Sequence, residues 1–277
     1  MNNWITPQDS SYHFGGIQNI MRFEQVHNMR KISHPFKSIK SQALTDLQDN
    51  GFAVIKNVFS EDEIQNLLSE FENALETGKC KTDPYYSTVL DPLINCPSII
   101  QASLKEDLTN VVSSFFDCVP SLGTLNFRRS YPNPGQPVTT QIFHCDPNSV
   151  SFIKCFVYLN DVPAKEYGPL TLVPESLSKK PANWLSKYRW PEEEMKQLYG
   201  DDCLKYLTAS AGDLIISRAT LGFHRGTPPI ARDRTMLTLN YVIHPEEWKE
   251  PIFKMSKENY LNMTEEQKPF ADFLVKV

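Results

Sequence analysis

Two rhythms of apolar and polar residues divide this chain near Cys118. Upstream of it the period is helical. Ile64, Leu67, Leu68, Phe71 and Leu75 recur at the spacing of one buried helix face. Ser60 precedes Glu61-Asp62-Glu63, and a serine three residues ahead of a glutamate is the capping box that opens a helix. Gly51 ends a shorter helix, and the apolar run 52–59 follows it as a strand. A further helical stretch is expected over 97–116. Residues 1–40 have no clean period and are expected to form a partly ordered extension. Their histidines, His13, His27 and His34, read as surface or packing residues.

Downstream of Cys118, short β-prone runs are split by Pro, Gly and Asn. Strands are expected over 123–131, 138–144, 151–159, 170–173, 213–217, 223–225 and 235–243. Many short antiparallel strands within ~120 residues predict a barrel or a double-sheet jelly roll. With the helices upstream, the class is mainly β with α (α+β), the N-terminal helices packing on one sheet. A polar, partly helical insert at 179–207 interrupts the strands. Pro191 and three glutamates begin its helix, and Gly200 marks the exit.

Composition narrows the function. The 277 residues are 40% hydrophobic and 22% charged, enough for a buried core and too apolar for global disorder. A net charge of −5 gives no overall attraction to nucleic acid. No apolar run approaches the ~20 residues of a membrane helix. The first ten residues lack the basic start and apolar stretch of a signal peptide. The six cysteines include no C-x-x-C pair, which argues against structural zinc and redox dithiols. These features together predict a cytoplasmic protein with free thiols and no nucleic-acid or membrane partner.

The candidate chemistry sits in the β half. His144-Cys145-Asp146 is an H-x-D triplet, and on an extended chain residues i and i+2 point the same way. An imidazole and a carboxylate can therefore face one point. His224, in Gly222-Phe223-His224-Arg225-Gly226, is the natural third ligand. Two histidines and a carboxylate form the facial triad of non-haem Fe(II) enzymes, with open positions opposite. Arg232 and Arg234 follow His224, and Arg234 opens a β-prone run. A guanidinium there suits two-point contact with a carboxylate. Lys154 stands in an apolar strand, where it needs an anion or a route to water.

At these residues the chain resembles the phytanoyl-CoA dioxygenase-like branch of the Fe(II)/2-oxoglutarate-dependent oxygenases. The resemblance spans roughly residues 41–241. The run from Gly51 to Ser60 is similar to the family's first strand and helix entry. Phe156-Val157-Tyr158-Leu159-Asn160-Asp161-Val162, with Tyr167-Gly168-Pro169-Leu170 and Val173-Pro174, is similar to its central strand pair. Gly212-Asp213 before His224-Arg225-Gly226 is similar to its distal-histidine segment.

The resemblance implies a double-stranded β-helix, or cupin-like jelly roll. It implies iron ligation by His144, Asp146 and His224, with Arg234 gripping the distal carboxylate of 2-oxoglutarate. Lys154 and Thr227 are secondary candidates beside the cosubstrate. Cosubstrates 2-oxoglutarate and O2 would yield succinate, CO2 and an oxidised C–H of a small-molecule or carrier-bound substrate. The carboxylate of Asp146 implies hydroxylation rather than halogenation, and desaturation or ring closure would use the same site. The chain departs from the family pattern at two places, the first of them near the substrate side. Val173-Pro174 continues into Glu175-Ser176-Leu177 where many members have Gly-Ser-His, and Arg225 follows the distal histidine where some members have Gly.

The resulting division is an extension at 1–40, one oxygenase domain at 41–248 and a helical tail at 249–277. Trp184, Tyr188 and Trp190, beside Lys179, Lys180, Lys187 and Arg189, suggest that the 179–207 insert either closes over a substrate or is pinned to the barrel. Two rivals remain. One is a cupin-type metalloenzyme that uses no 2-oxoglutarate, and the other is a catalytically silent ligand-binding barrel.

Overall fold

The change of rhythm at Cys118 is where helices give way to sheet. A computed structural model describes residues 4–5, 16–146, 150–218, 222–244 and 253–277. In chain order the first half holds β1 (Trp4–Ile5), α1 (Gly16–Ser33), α2 (Gln42–Asn50), β2 (Phe52–Ile55), α3 (Glu61–Glu76), β3 (Cys80–Thr82), β4 (Tyr86–Val89), α4 (Pro92–Asn95), α5 (Ser98–Ser103) and α6 (Glu106–Phe116). The second half holds β5 (Ser121–Ser130), β6 (Phe152–Tyr158), β7 (Leu170–Val173), β8 (Lys180–Pro181), α7 (Glu192–Tyr199), β9 (Lys205–Leu207), β10 (Leu214–Ser217), β11 (Phe223–Gly226), β12 (Arg234–Val242), β13 (Lys254–Met255), α8 (Lys257–Leu261) and β14 (Val275–Lys276).

Two sheets face one another. The larger has the order β2-β10-β6-β12-β5-β4-β3 and the smaller β11-β7-β9. Both are antiparallel throughout. A bridge between His144 and His224 extends the smaller sheet beyond β11. This is a double-stranded β-helix in an α+β chain. Alternation along β6 shows how it is built. Ile153, Cys155 and Val157 join the core with Leu67, Phe71 and Ile99 of the helices. Phe156 and Tyr158 turn the other way and meet Leu170 and Leu172 of the smaller sheet.

Local signals in the sequence operate as physics requires. Ser60 Oγ accepts from the Glu63 N–H at 3.3 Å, and the Ser60 N–H donates to Glu63 Oε2 at 2.9 Å. Gly51 ends α2 with φ +76°. The helical stretch over 97–116 is broken at Leu104-Lys105 into α5 and α6. The break leaves the Ser103 carbonyl free to accept from the buried Tyr241 hydroxyl.

One expectation is corrected. Residues 138–144 are not a strand. A 3-10 turn occupies Thr139–Gln141, closed by the Val138 N–H donating to Gln141 Oε1 at 2.9 Å. Only Phe143 and His144 pair, in bridges to Trp190 and His224. The region before residue 40 contains a regular helix, α1. Polar anchors hold it: His27 Nε2 lies 2.6 Å from the Phe116 carbonyl, and Arg30 donates to Val119 O and to Asp272. His13 lies outside the described residues. The C-terminal segment is helical only in part, since β13 and β14 pair in parallel within it. Among the described residues no helix is long and apolar enough to cross a membrane.

The turn entering β10 fixes the sheet against the helical layer. Gly212 has φ +85°, and a Cβ there would lie 2.5 Å from the Phe59 carbonyl oxygen. The next residue, Asp213, is buried and accepts from Lys56 Nζ at 2.7 Å, from Asn57 N–H at 3.0 Å and from Ser210 N–H at 2.8 Å. Burial pushes its carboxyl up, but these donors outweigh that and hold it below the usual range.

Two outcomes follow for denaturant unfolding. Gly212→Ala should cost about 2–5 kcal/mol from backbone strain and overpacking. Asp213→Asn should cost about 1.5–3 kcal/mol near neutral pH, as expected for charge-assisted hydrogen bonds. Because the folded carboxyl is depressed, its contribution is complete above the unfolded value of about 3.9 and drains away as pH falls through the folded value. The gap between wild type and variant should therefore be flat near neutrality and close in acid. A gap that widens on acidification contradicts this account.

Candidate metal centre

The bridge between β11 and the end of the H-x-D loop sets the geometry. The His144 N–H donates to the His224 carbonyl at 3.0 Å, and the His224 N–H donates back to His144 at 2.9 Å. This reciprocal pair places the two imidazoles with ring centroids 4.5 Å apart. Asp146, two residues past His144, reaches the same point. One ligand atom from each of His144, Asp146 and His224 lies within 4.8 Å of the others, and all three residues are buried.

The hydrogen bonds fix which ring atoms face inward. His144 Nδ1 lies 2.8 Å from the Ile142 carbonyl, and His224 Nδ1 lies 3.0 Å from the Gly222 carbonyl. A carbonyl only accepts, so both Nδ1 atoms carry hydrogen and both neutral rings present an Nε2 lone pair. His224 Nε2 is 3.1 Å from Asp146 Oδ2, and His144 Nε2 is 3.4 Å from Asp146 Oδ1. Acceptors at these distances repel unless a cation or a proton lies among them. For His224 burial opposes protonation; Asp146 favours it, whereas His144 and Lys154 oppose it, and the net shift is downward. The donor set therefore fits a borderline divalent metal such as Fe(II), held by two imidazoles and one carboxylate.

Lys154, on β6, donates to Asp146 Oδ2, and Asp146 is the anion partner that the strand position of Lys154 demanded. Burial pushes the Asp146 carboxyl up, but Lys154 and the two histidines outweigh that and hold it well below the usual range. Cys145 turns away from the ligands and accepts from buried Lys180 at 3.2 Å.

The His144 and His224 side chains line a cavity of about 360 Å³ between the two sheets. Arg234, at the start of β12, lines it as well. Its guanidinium donates to the Gly168 carbonyl and to Ser130 Oγ at 3.1 Å, while its buried Nε has no partner among the described residues. Gly226 lies beside it, where a Cβ would be in ordinary contact with Nη2 at 3.4 Å. Thr227 does not line this cavity. Its hydroxyl shares a 2.6 Å hydrogen bond with Thr171, and its carbonyl lies 3.5 Å from Arg234 Nη1. Arg232 is exposed, donates to the Asp161 carbonyl and lies over the Tyr167 ring.

The insert aromatics divide. Trp184 and Trp190 are buried with Phe143, Met195 and Phe223. Tyr188 stays exposed, with its ring 6.5 Å from the His144 ring. Tyr86, Asn126, Arg128, Thr238 and Asn240 were not anticipated as cavity residues. The polar residues Thr124, Asn126, Arg128 and Ser130 at every second position of β5 were the available signal.

No family model and no curated protein matches the chain. Solved structures do, at the level of fold. HygX from Streptomyces hygroscopicus, with nickel and 2-oxoglutarate bound, is 18% identical with a TM-score of 0.58, over 77% of this chain and 91% of that one. SnoN, a non-haem α-ketoglutarate-dependent epimerase from nogalamycin biosynthesis, is 15% identical with a TM-score of 0.58, over 73% and 82%. EctD from S. alaskensis, with 2-oxoglutarate and 5-hydroxyectoine, is 17% identical with a TM-score of 0.55, over 76% and 79%.

Metal loading tests the centre directly. Adding Ni(II) at about a hundred-fold excess over Kd should raise Tm by about 5–10 °C, and a chelator should reverse it. His224→Ala should lose the shift. An equal rise in that variant would place the metal elsewhere.

Proposed function

We propose that this chain is a non-haem Fe(II)- and 2-oxoglutarate-dependent dioxygenase acting in the cytoplasm. Its reaction is hydroxylation of an unactivated C–H bond of a small-molecule or carrier-bound substrate. In this reading residues 41–248 form the catalytic domain, with 1–40 and 249–277 as extension and tail. The observation that carries the proposal is one cavity lined by two unlike groups. The two imidazoles that converge with the Asp146 carboxylate line it, and so does a buried guanidinium whose Nε–H has no partner among the described residues. HygX binds nickel and 2-oxoglutarate in the same fold, which supports this pairing of metal and dicarboxylate.

When bound, iron supplies the redox chemistry that couples decarboxylation of 2-oxoglutarate, to succinate and CO2, to oxidation of a substrate C–H. The chain's own residues do the rest. His144, Asp146 and His224 would hold the metal. Arg234 receives the distal carboxylate in two-point contact, braced by Gly168 and Ser130. Lys154 steadies the carboxylate of Asp146. Buried Phe156 and Leu170 form an apolar wall that limits water. A cupin-type enzyme without 2-oxoglutarate has no use for the cation at Arg234, and a silent barrel has none for the converging lone pairs.

Calorimetry of 2-oxoglutarate binding to the Ni(II)-loaded protein tests the assignment. Arg234→Gln should weaken binding at least about 30-fold, because losing the partner of a desolvated carboxylate costs ~2 kcal/mol or more. Exposed Arg232→Gln should change it less than about two-fold. The reverse ranking overturns the cosubstrate assignment.

A further inference from the structure

The cavity holds more positive charge than the metal and cosubstrate explain. Arg128, Lys154 and Arg234 line it, and among the described residues no carboxylate does. Lys154 is matched by Asp146. A divalent metal and a dicarboxylate cancel one another, so two arginines, Arg128 and Arg234, remain without an acid among the described residues that line the cavity. Arg234 is the cosubstrate's partner in the reading above, on which this inference rests. Arg128 is left over.

Its surroundings point to a ligand. Arg128 and Arg129 are neighbours on β5 and face opposite ways. Outward-facing Arg129 has its acid, Glu72, at 2.5 Å. Inward-facing Arg128 forms no ion pair among the described residues. Its Nε donates to Thr88 Oγ1 at 3.0 Å, and its guanidinium lies 4.5 Å from the centre of the Tyr86 ring. Burial pulls its pKa down, with Tyr86 and Asp83 opposing. The Tyr86 hydroxyl is itself buried, without a hydrogen-bond partner among the described residues, and Tyr86 lines the same cavity. A guanidinium and a phenol, both donors with spare capacity, thus share one corner. The cross-strand register sets this corner one rung from Arg234: Met236 pairs with Arg128, and Arg234 with Ser130. A partly desolvated cation beside a free donor is stable with an anion against it.

We propose that Arg128 and Tyr86 recognise an anionic group of the primary substrate, so that the enzyme acts on an organic acid carrying a carboxylate or a phosphate. The rest of that acid lies toward the metal. The cavity of about 360 Å³ must also hold the cosubstrate, so it takes a small acid or the acidic end of a longer one.

The test uses Ni(II)-loaded protein saturated with 2-oxoglutarate, and three probes of equal chain length: hexanoate, hexyl phosphate and neutral hexanamide. Wild type should bind the better of the two acids at least about ten-fold more tightly than the amide, a difference of about 1.4 kcal/mol. The preferred acid identifies the anion. Arg128→Gln should reduce the preference to within about two-fold while 2-oxoglutarate affinity moves less than about three-fold. Tyr86→Phe, which removes one hydroxyl and keeps the ring, should give a smaller loss. Equal binding of acid and amide by wild type overturns the proposal. So does an Arg128→Gln variant that weakens 2-oxoglutarate as much as Arg234→Gln, since Arg128 would then serve the cosubstrate. Failure of wild type to bind 2-oxoglutarate at all would instead remove the cosubstrate reading beneath it.

Discussion

Two imidazole lone pairs and a carboxylate meet in the interior of this protein at distances that call for a cation among them. Their meeting depends on one backbone contact, the reciprocal pair of hydrogen bonds between His144 and His224. That bridge joins the end of a loop to β11, which in turn pairs with β7. Outside it Phe143, Trp184, Trp190 and Phe223 pack as a separate apolar cluster. Two buried tryptophans of the insert thereby hold the H-x-D loop against the smaller sheet. Loosening them would shift ligand geometry before it touched the main core.

The second constraint is electrostatic. An interior guanidinium is tolerated only where hydrogen bonds or anions receive it. Arg234 is held by main-chain and hydroxyl oxygens that carry no net negative charge, so its charge stays available to a ligand. Gly168 secures one of those contacts. It has φ +74°, and a Cβ there would lie 2.8 Å from the Thr227 carbonyl oxygen. Arg225 shows the contrasting solution. It follows His224, points to the other side and is neutralised by Glu192 of α7. Cations facing the cavity are left open or shared with Asp146, while this one on the far side has its own acid.

Much of this was legible in the sequence, for local reasons. Ser60 and Glu63 announce a helix start through atoms three residues apart, and His144 and Asp146 share a side because strand geometry alternates. Lys154 stood out because an amine in an apolar strand requires an anion, although Asp146 could not be named as that anion. What escaped reading depends on distant contacts. Helix α1 is fixed by Arg30 reaching Asp272, some 240 residues away, and no apolar stripe marks it. Residues 138–144 have strand-like composition, yet the Gln141 side chain closes a turn that satisfies the Val138 N–H locally. Arg128 and Arg129 look alike in sequence, and only the sheet decides which of them meets Glu72 and which meets the cavity.

The central claim is that His144, Asp146 and His224 hold Fe(II) with open positions that 2-oxoglutarate can chelate. The most direct measurement is the visible absorption difference on adding 2-oxoglutarate to the Fe(II)-loaded protein without oxygen. The account predicts a weak charge-transfer band that saturates at one cosubstrate per iron and is absent in His144→Ala and His224→Ala. Tight binding of Fe(II) with no band on adding 2-oxoglutarate, or a band that survives loss of either histidine, would contradict it.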